Sequence, residues 1–290
     1  MTIPPAPRST ACWRRSTGST TRLSNDFSPG CSSRTSNATP DPSTACPRSS
    51  GTPIHGGTEL LPAMELGLLA PERVVSLRAI PELRRCERDG DLLVLGAGLT
   101  HDDVATSPLV ADHAPVLAEV ANDVGNIRVR CTGTLGGNLA FAEPRSDVAT
   151  VLLALGAGVR LAGVDGEREV PMREFVLGAY ETDLRPGELI VAVLVPRQPG
   201  TAVYRKVVFS ERPVVGVALA ETGQGWRLVI GAVAMTPEIL EVRRLDEIDP
   251  RAIAESLDVL ADLGGSEEYK THLTAVTIGR CVAAAGRQDP

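Results

Sequence analysis

The sequence predicts an α+β protein of two unequal domains, and three observations carry that reading. Residues 53 to 198 alternate strand-like runs, glycine-rich turns and helix-like runs. Residues 201 to 235 give three Val- and Ile-rich runs of strand length, and helical patterns fill 250 to 285, which together describe a smaller C-terminal antiparallel sheet with helices. The chain's 290 residues suffice for roughly two domains, and 43% hydrophobic against 22% charged residues suits a packed interior under a solvated surface.

The first 53 residues are of a different composition. They hold 11 Ser, 9 Thr and 8 Pro with 6 Arg and 2 Asp, so this stretch carries +4 and the remainder −11 of a formal total of −7. Its apolar residues follow neither helical nor alternating spacing. Residues 1–52 are therefore expected to form a leader that does not fold alone, disordered or a misassigned start, with a basic targeting arm as the competing reading.

Order begins at Pro53. A short strand ending at Ile54 enters His55-Gly56-Gly57-Thr58, a helix follows from Glu59 to Leu68, and a strand lies near Val74 to Leu77. Leu92 to Leu95 reads as a buried strand, Thr100 opens a helix near His101 to Ala105, and an amphipathic helix is expected from Pro108 to Asn122. After a second glycine-rich turn come a helix from Val148 to Leu155, a hairpin at Asp165-Gly166 and a strand from Leu189 to Val195. A boundary near Pro196 to Gly200 divides a first domain, 53–198, from a second, 199–287. There Val203–Val208, Val214–Leu219 and Trp226–Ala234 are expected to pair antiparallel, with helices from Pro250 to Leu263 and Ser266 to Ala285 on one face.

Several functions are excluded by composition. A pI near 5.3 offers no overall attraction to nucleic acid. The longest apolar stretch, Val148 to Val164, is interrupted by Arg160, so no membrane span is expected. Six widely separated cysteines form no CxxC pair, which argues against a metal site, an iron–sulfur cluster or a disulfide framework. No apolar signal segment follows the N-terminus, so a cytoplasmic location is expected. No Ser/His/Asp constellation suggests a catalytic side chain.

Two glycine loops are the candidate site. They are His55-Gly56-Gly57-Thr58-Glu59-Leu60 and Gly133-Thr134-Leu135-Gly136-Gly137-Asn138-Leu139. Paired glycines remove Cβ atoms and permit positive φ, so backbone N–H groups can converge on an anion, and Thr58, Thr134 and Asn138 add side-chain donors. Two such loops could grip a diphosphate from both sides without any lysine. Either loop alone is more often just a tight turn. Gly96-Ala97-Gly98 reads as a strand-end turn, because His101 stands at the sixth position of a would-be GxGxxG and no acidic residue follows at the required distance.

The ordered set HGGTELLPAMELG, RAIPEL, GTLGGNLAFAEPRSD with VLLALGA, FVLGAYETDLRPGELI and EYKTHL resembles the FAD-binding medium subunit of molybdenum hydroxylases. That family includes the flavoprotein subunits of carbon monoxide dehydrogenase and xanthine dehydrogenase, and the likeness spans about residues 53 to 286. It implies a two-loop FAD-binding domain of the PCMH type followed by the smaller C-terminal domain. It also implies FAD as cofactor, its pyrophosphate held by the two loops through Gly56, Gly57, Thr58, Thr134, Gly136, Gly137 and Asn138, with His55 and Glu59 beside them as further candidate cofactor-binding residues. Asp147 is implied to hydrogen-bond the ribityl portion, a role compatible with that of a carboxylate at a helix N-terminus. Lys206 matches a lysine that approaches the flavin, with an exposed strand lysine as the competing reading. The implied partners are a molybdenum-cofactor large subunit and a [2Fe–2S] small subunit, as a dimer of heterotrimers, with FAD passing electrons to an external acceptor. A stand-alone FAD-dependent reductase and a non-catalytic assembly component that has lost FAD are the alternatives. This chain departs from the family at His55, usually Ala, and at Cys131-Thr132, often Asn-Arg. It also carries the Ser/Thr/Pro leader where an aromatic-rich strand and a Leu/Ala-rich helix are usual.

Overall fold

The computed structural model describes residues 51–209 and 211–287. The leader's expected character falls on residues 1–50, outside them, and Thr52 already belongs to the first strand. Strand β1 (Thr52–Ile54) leads through the first glycine loop into helix α1 (Leu60–Glu65), and β2 (Val74–Ser76) returns parallel to β1 in the register Thr52↔Val74 and Ile54↔Ser76. The helix ends three residues before Leu68, because Gly67 adopts φ +70° and its N–H turns back to the Met64 carbonyl.

The next strands are β3 (Cys86–Asp89) and β4 (Leu92–Gly96), followed by the helices α2 (His101–Thr106), α3 (Pro108–His113) and α4 (Pro115–Asn122). Thr100 and Asp103 close a reciprocal capping box at the start of α2, as the sequence suggests. The single helix expected from Pro108 to Asn122 is two helices. Pro115 has no N–H to donate and its ring excludes the helical conformation from the residue before it, so Ala114 sits at φ −146° and ψ 73°.

Helices α5 (Ile127–Thr132), α6 (Leu135–Phe141) and α7 (Asp147–Ala154) follow. The second glycine sequence is therefore no open turn. Gly136 and Gly137 occupy the first turn of α6, and the Thr134 side chain caps it by accepting from the Gly137 N–H.

The chain then forms the hairpin β5 (Gly158–Gly163) and β6 (Gly166–Pro171), a short α8 (Met172–Phe175), the small pair β7 (Val176–Gly178) and β8 (Glu181–Thr182), and β9 (Leu189–Pro196). These complete an antiparallel five-stranded sheet in the order β3-β4-β9-β5-β6. A second antiparallel sheet is a meander of β10 (Ala202–Val208), β11 (Pro213–Thr222), β12 (Gly225–Gly231) and β13 (Glu238–Val242). Strand β12 stops at Gly231 instead of running to Ala234 because Ala232 takes φ +71°. Helices α9 (Pro250–Ser256) and α10 (Glu267–Ala285) close the chain, α10 packing on β10 and β11. The first of these ends seven residues short of Leu263, at a Leu257 with extended backbone.

Helix α7 is the keystone. All eight of its residues are buried, and its side chains join one core that includes Leu93 and Val193 of the first sheet and Ala218, Ala220 and Val229 of the second. A polar α7 face would leave both sheets with an unfilled gap.

Candidate functional site: a cleft between two glycine segments

Strand β1 delivers the first loop against the C-terminal end of α5. A methyl group on Gly56 would stand 2.2 Å from the Thr132 carbonyl oxygen, so only glycine allows the approach. Gly57, at φ +82°, then turns the chain toward α1. The Arg78 guanidinium holds the loop from behind, donating to the carbonyl oxygens of His55 at 2.8 Å and Gly56 at 3.5 Å. With the carbonyls engaged, the N–H groups of Gly56, Gly57 and Thr58 have no partner among the described residues.

The second segment is clipped to the connection between β4 and α2. His101 N–H donates to Gly133 O at 3.1 Å, Leu135 N–H to Leu99 O at 2.9 Å and Gly136 N–H to Ala97 O at 2.8 Å. A methyl on Gly136 would meet the Ala97 side chain at 2.6 Å. The Gly96-Ala97-Gly98 turn thus serves as the bed on which the start of α6 lies. Asn138 is oriented by Ser146, whose hydroxyl donates to Asn138 Oδ1 at 2.6 Å.

The two segments wall one open cleft of about 180 Å³. His55, Gly56, Gly57, Thr58 and Glu59 line it from the first loop, and Thr134, Gly137 and Asn138 from the second. Gly136 lies behind this wall against Ala97. Asp147 and Lys206 are brought together outside the lining, 2.9 Å apart, with the Tyr204 hydroxyl also donating to Asp147. Burial opposes the Lys206 ammonium, yet Asp147 and Asp123 outweigh it and hold its pKa above the ordinary lysine value.

Residues that sequence reasoning missed complete the surroundings. Arg212, just before β11, donates to both carboxylate oxygens of Glu59, at 2.8 and 2.7 Å, and to Glu143 just after α6. Glu143 also accepts from Arg145 at 2.9 Å and from the Tyr180 hydroxyl at 2.8 Å. Burial pushes its pKa upward, but these partners prevail and hold the carboxyl below the usual glutamate value. Nothing in the sequence links Glu59 to an arginine 153 positions away. His101 also lines the cleft, and burial pushes its pKa down to about 4. Its only visible role in the sequence is as the first residue after a helix cap.

The cleft fits the diphosphate of a dinucleotide: glycines close the backbone around it, N–H groups are left without partners, and hydroxyl and amide side chains stand opposite. Residues 43–198 match the FAD binding domain in molybdopterin dehydrogenase. The chain belongs to this family. The flavoprotein is 31% identical to the nicotine 6-hydroxylase medium subunit of Paenarthrobacter nicotinovorans over 80% of its own length and 89% of that chain. It is 30% identical to the carbon monoxide dehydrogenase medium chain of Afipia carboxidovorans, covering 80% of this chain and 88% of that one. Its fold matches a chain in the solved carbon monoxide dehydrogenase of Hydrogenophaga pseudoflava with a TM-score of 0.76 at 29% identity, over 82% of this flavoprotein and 90% of that chain. The family read from the ordered motifs is thus the family found, and FAD is its cofactor. Among the described residues, no helix of this flavoprotein is long and apolar enough to cross a membrane, and no group of His, Cys, Asp or Glu is placed to hold a metal.

Proposed function

We propose that the cleft between the two glycine segments seats the FAD diphosphate and that this flavoprotein is the electron-transfer subunit of a cytoplasmic molybdenum hydroxylase. The partners in this reading are a molybdenum-cofactor large subunit and a [2Fe–2S] small subunit, assembled as a dimer of heterotrimers, with an external acceptor. Likeness to subunits named as medium chains of carbon monoxide dehydrogenase and nicotine 6-hydroxylase supports it. FAD supplies the redox chemistry when bound; the protein supplies binding and orientation. Gly56, Gly57 and Thr58 offer N–H donors from one wall, while Thr134 and Asn138 present hydroxyl and amide groups from the other, where Gly137 leaves the wall without a Cβ. Asp147 and Lys206 stand together beneath this wall and orient the flavin end. We assign residues 53–198 to the FAD-binding domain and 199–287 to the C-terminal one.

The observation that carries the proposal is that two segments some eighty residues apart place paired glycines on one cleft. Gly137→Val tests it. A Cβ there would meet only the Thr134 hydroxyl, at 2.9 Å, so the fold has room to adjust while the new side chain fills the cleft wall. FAD affinity is expected to fall about 100-fold, toward the upper end of what overpacking costs. An unchanged flavin titration with an unchanged far-UV spectrum would refute the assignment.

A further inference from the structure

We infer that His101 is a third source of hydrogen bonds to the FAD diphosphate, from helix α2 instead of either glycine segment, its imidazole donating through Nε2 to a phosphate oxygen. The inference rests on the proposed seat of the diphosphate. His101 lines the cleft beside Thr58, Thr134 and Gly137, although its side chain is only 3% exposed. Its Nδ1 is sealed from solvent with no hydrogen-bond partner, and Nε2 has none among the described residues either. A buried polar nitrogen without a partner is uncommon and calls for an explanation, and the ring's other nitrogen, unpartnered, is not sealed in the same way.

The ring's orientation supplies it. A methyl group on Gly133 would stand 3.3 Å from His101 Cδ2 and 3.2 Å from Thr58 Oγ1. The edge of the ring that carries Nε2 therefore faces the point where the first loop, the α5–α6 junction and α2 converge. A sealed N–H without an acceptor is rarer in proteins than a sealed acceptor without a donor, so the proton belongs on Nε2 and the lone pair on Nδ1. Burial keeps the ring neutral at physiological pH, because its pKa is pushed down to about 4 and no carboxylate acts to restore it. The result is a fixed neutral donor aimed at the meeting point of the two walls. Glycine at 133 is what leaves that point open.

The following measurements on the full-length chain test this. In FAD titrations, His101→Leu removes the donor and is expected to weaken binding about 10- to 100-fold, the range for a hydrogen bond to a charged group. His101→Gln keeps an N–H at similar reach and is expected to recover most of the loss. Riboflavin, which lacks the diphosphate, should bind the wild-type and His101→Leu chains equally; equal weakening of riboflavin and FAD would show a structural role and overturn the inference. With 15N-labelled histidine, the His101 signals should report the Nε2–H tautomer and Nε2 should shift when FAD is added. An Nδ1–H tautomer, or no shift, overturns it. The Gly137→Val chain separates the two levels of the argument. If that chain loses FAD while His101→Leu binds like wild type, the His101 role alone is wrong; if it keeps FAD, the cleft reading fails and the His101 role with it.

Discussion

Lys206 and Asp147 form the most deeply buried ion pair around the site, with side chains 12% and 5% exposed. Such a pair adds little net stability over an apolar pair, because desolvation of both charges offsets their attraction. Removing one member is another matter. Lys206→Met leaves Asp147 with the Tyr204 hydroxyl but no cation, and is expected to cost about 3–5 kcal/mol in urea unfolding at neutral pH. Part of the loss should be regained on acidification, since a carboxyl stripped of its cation takes up a proton at a higher pH than in the unfolded chain. A shift of the urea midpoint too small to measure would mean that water replaces the ammonium. The glycines separate in the same way: Gly56 and Gly136 are held by clashes with Thr132 and Ala97, and Gly137 by the cleft. Substitution at the first two is expected to attack folding, and at the third, on the proposed seat of the diphosphate, FAD binding.

At the scale of elements, caps and breakers did most of the specifying. The capping box at α2 is written as Thr100 and Asp103, and Thr100→Ala is expected to destabilise the protein by about 1 kcal/mol, read as a lowered melting temperature. Because α2 carries His101 and bears the Gly133 contact, the same change should also loosen FAD; an unaltered melting curve would show that packing alone holds the helix. The glycine segments, the buried strands β4, β9 and β11 and the helix after Ser146 were legible because their signals are local: apolar runs, turn residues and caps. The split between α3 and α4 was also written in the sequence, at Pro115, where amphipathic spacing outweighed the proline in the reading. The strands β3 and β13 were not seen, since CERD and EILEV are short and rich in charge, as suits strands at the rims of their sheets. The links from Arg212 to Glu59 and from Lys206 to Asp147 depend on tertiary approach, which no local pattern encodes.

On the scale of the whole molecule, α7 joins residues of both sheets in one core, so a disturbance on either side is felt through the other. Unfolding by denaturant is therefore expected to be a single transition in which flavin release and Trp226 fluorescence coincide. That coupling lets one buried histidine shape the stability of the entire chain. His101 has its pKa lowered from 6.5 to about 4 by burial. The unfolded chain thus binds a proton that the folded chain refuses anywhere between these values, so stability is full above the unfolded pKa and falls as the pH drops toward the folded one. His55, lowered by burial and by Arg78 and Arg84, acts in the same sense. Glu143, held below its ordinary value, makes its loss only at more acid pH, whereas Asp147, raised by burial, acts in the opposite sense, so over the range from about pH 7.5 to about pH 5 the histidine is read from the difference between the wild-type and His101→Gln profiles. Over it, His101 should remove about 2 kcal/mol from the apoprotein, from the ~1.4 kcal/mol that each pKa unit represents. His101→Gln, which cannot titrate, should flatten this part of the profile in urea unfolding followed by Trp226, in a Trp13→Phe background. Identical slopes for the two chains would mean that water reaches the ring in the apoprotein.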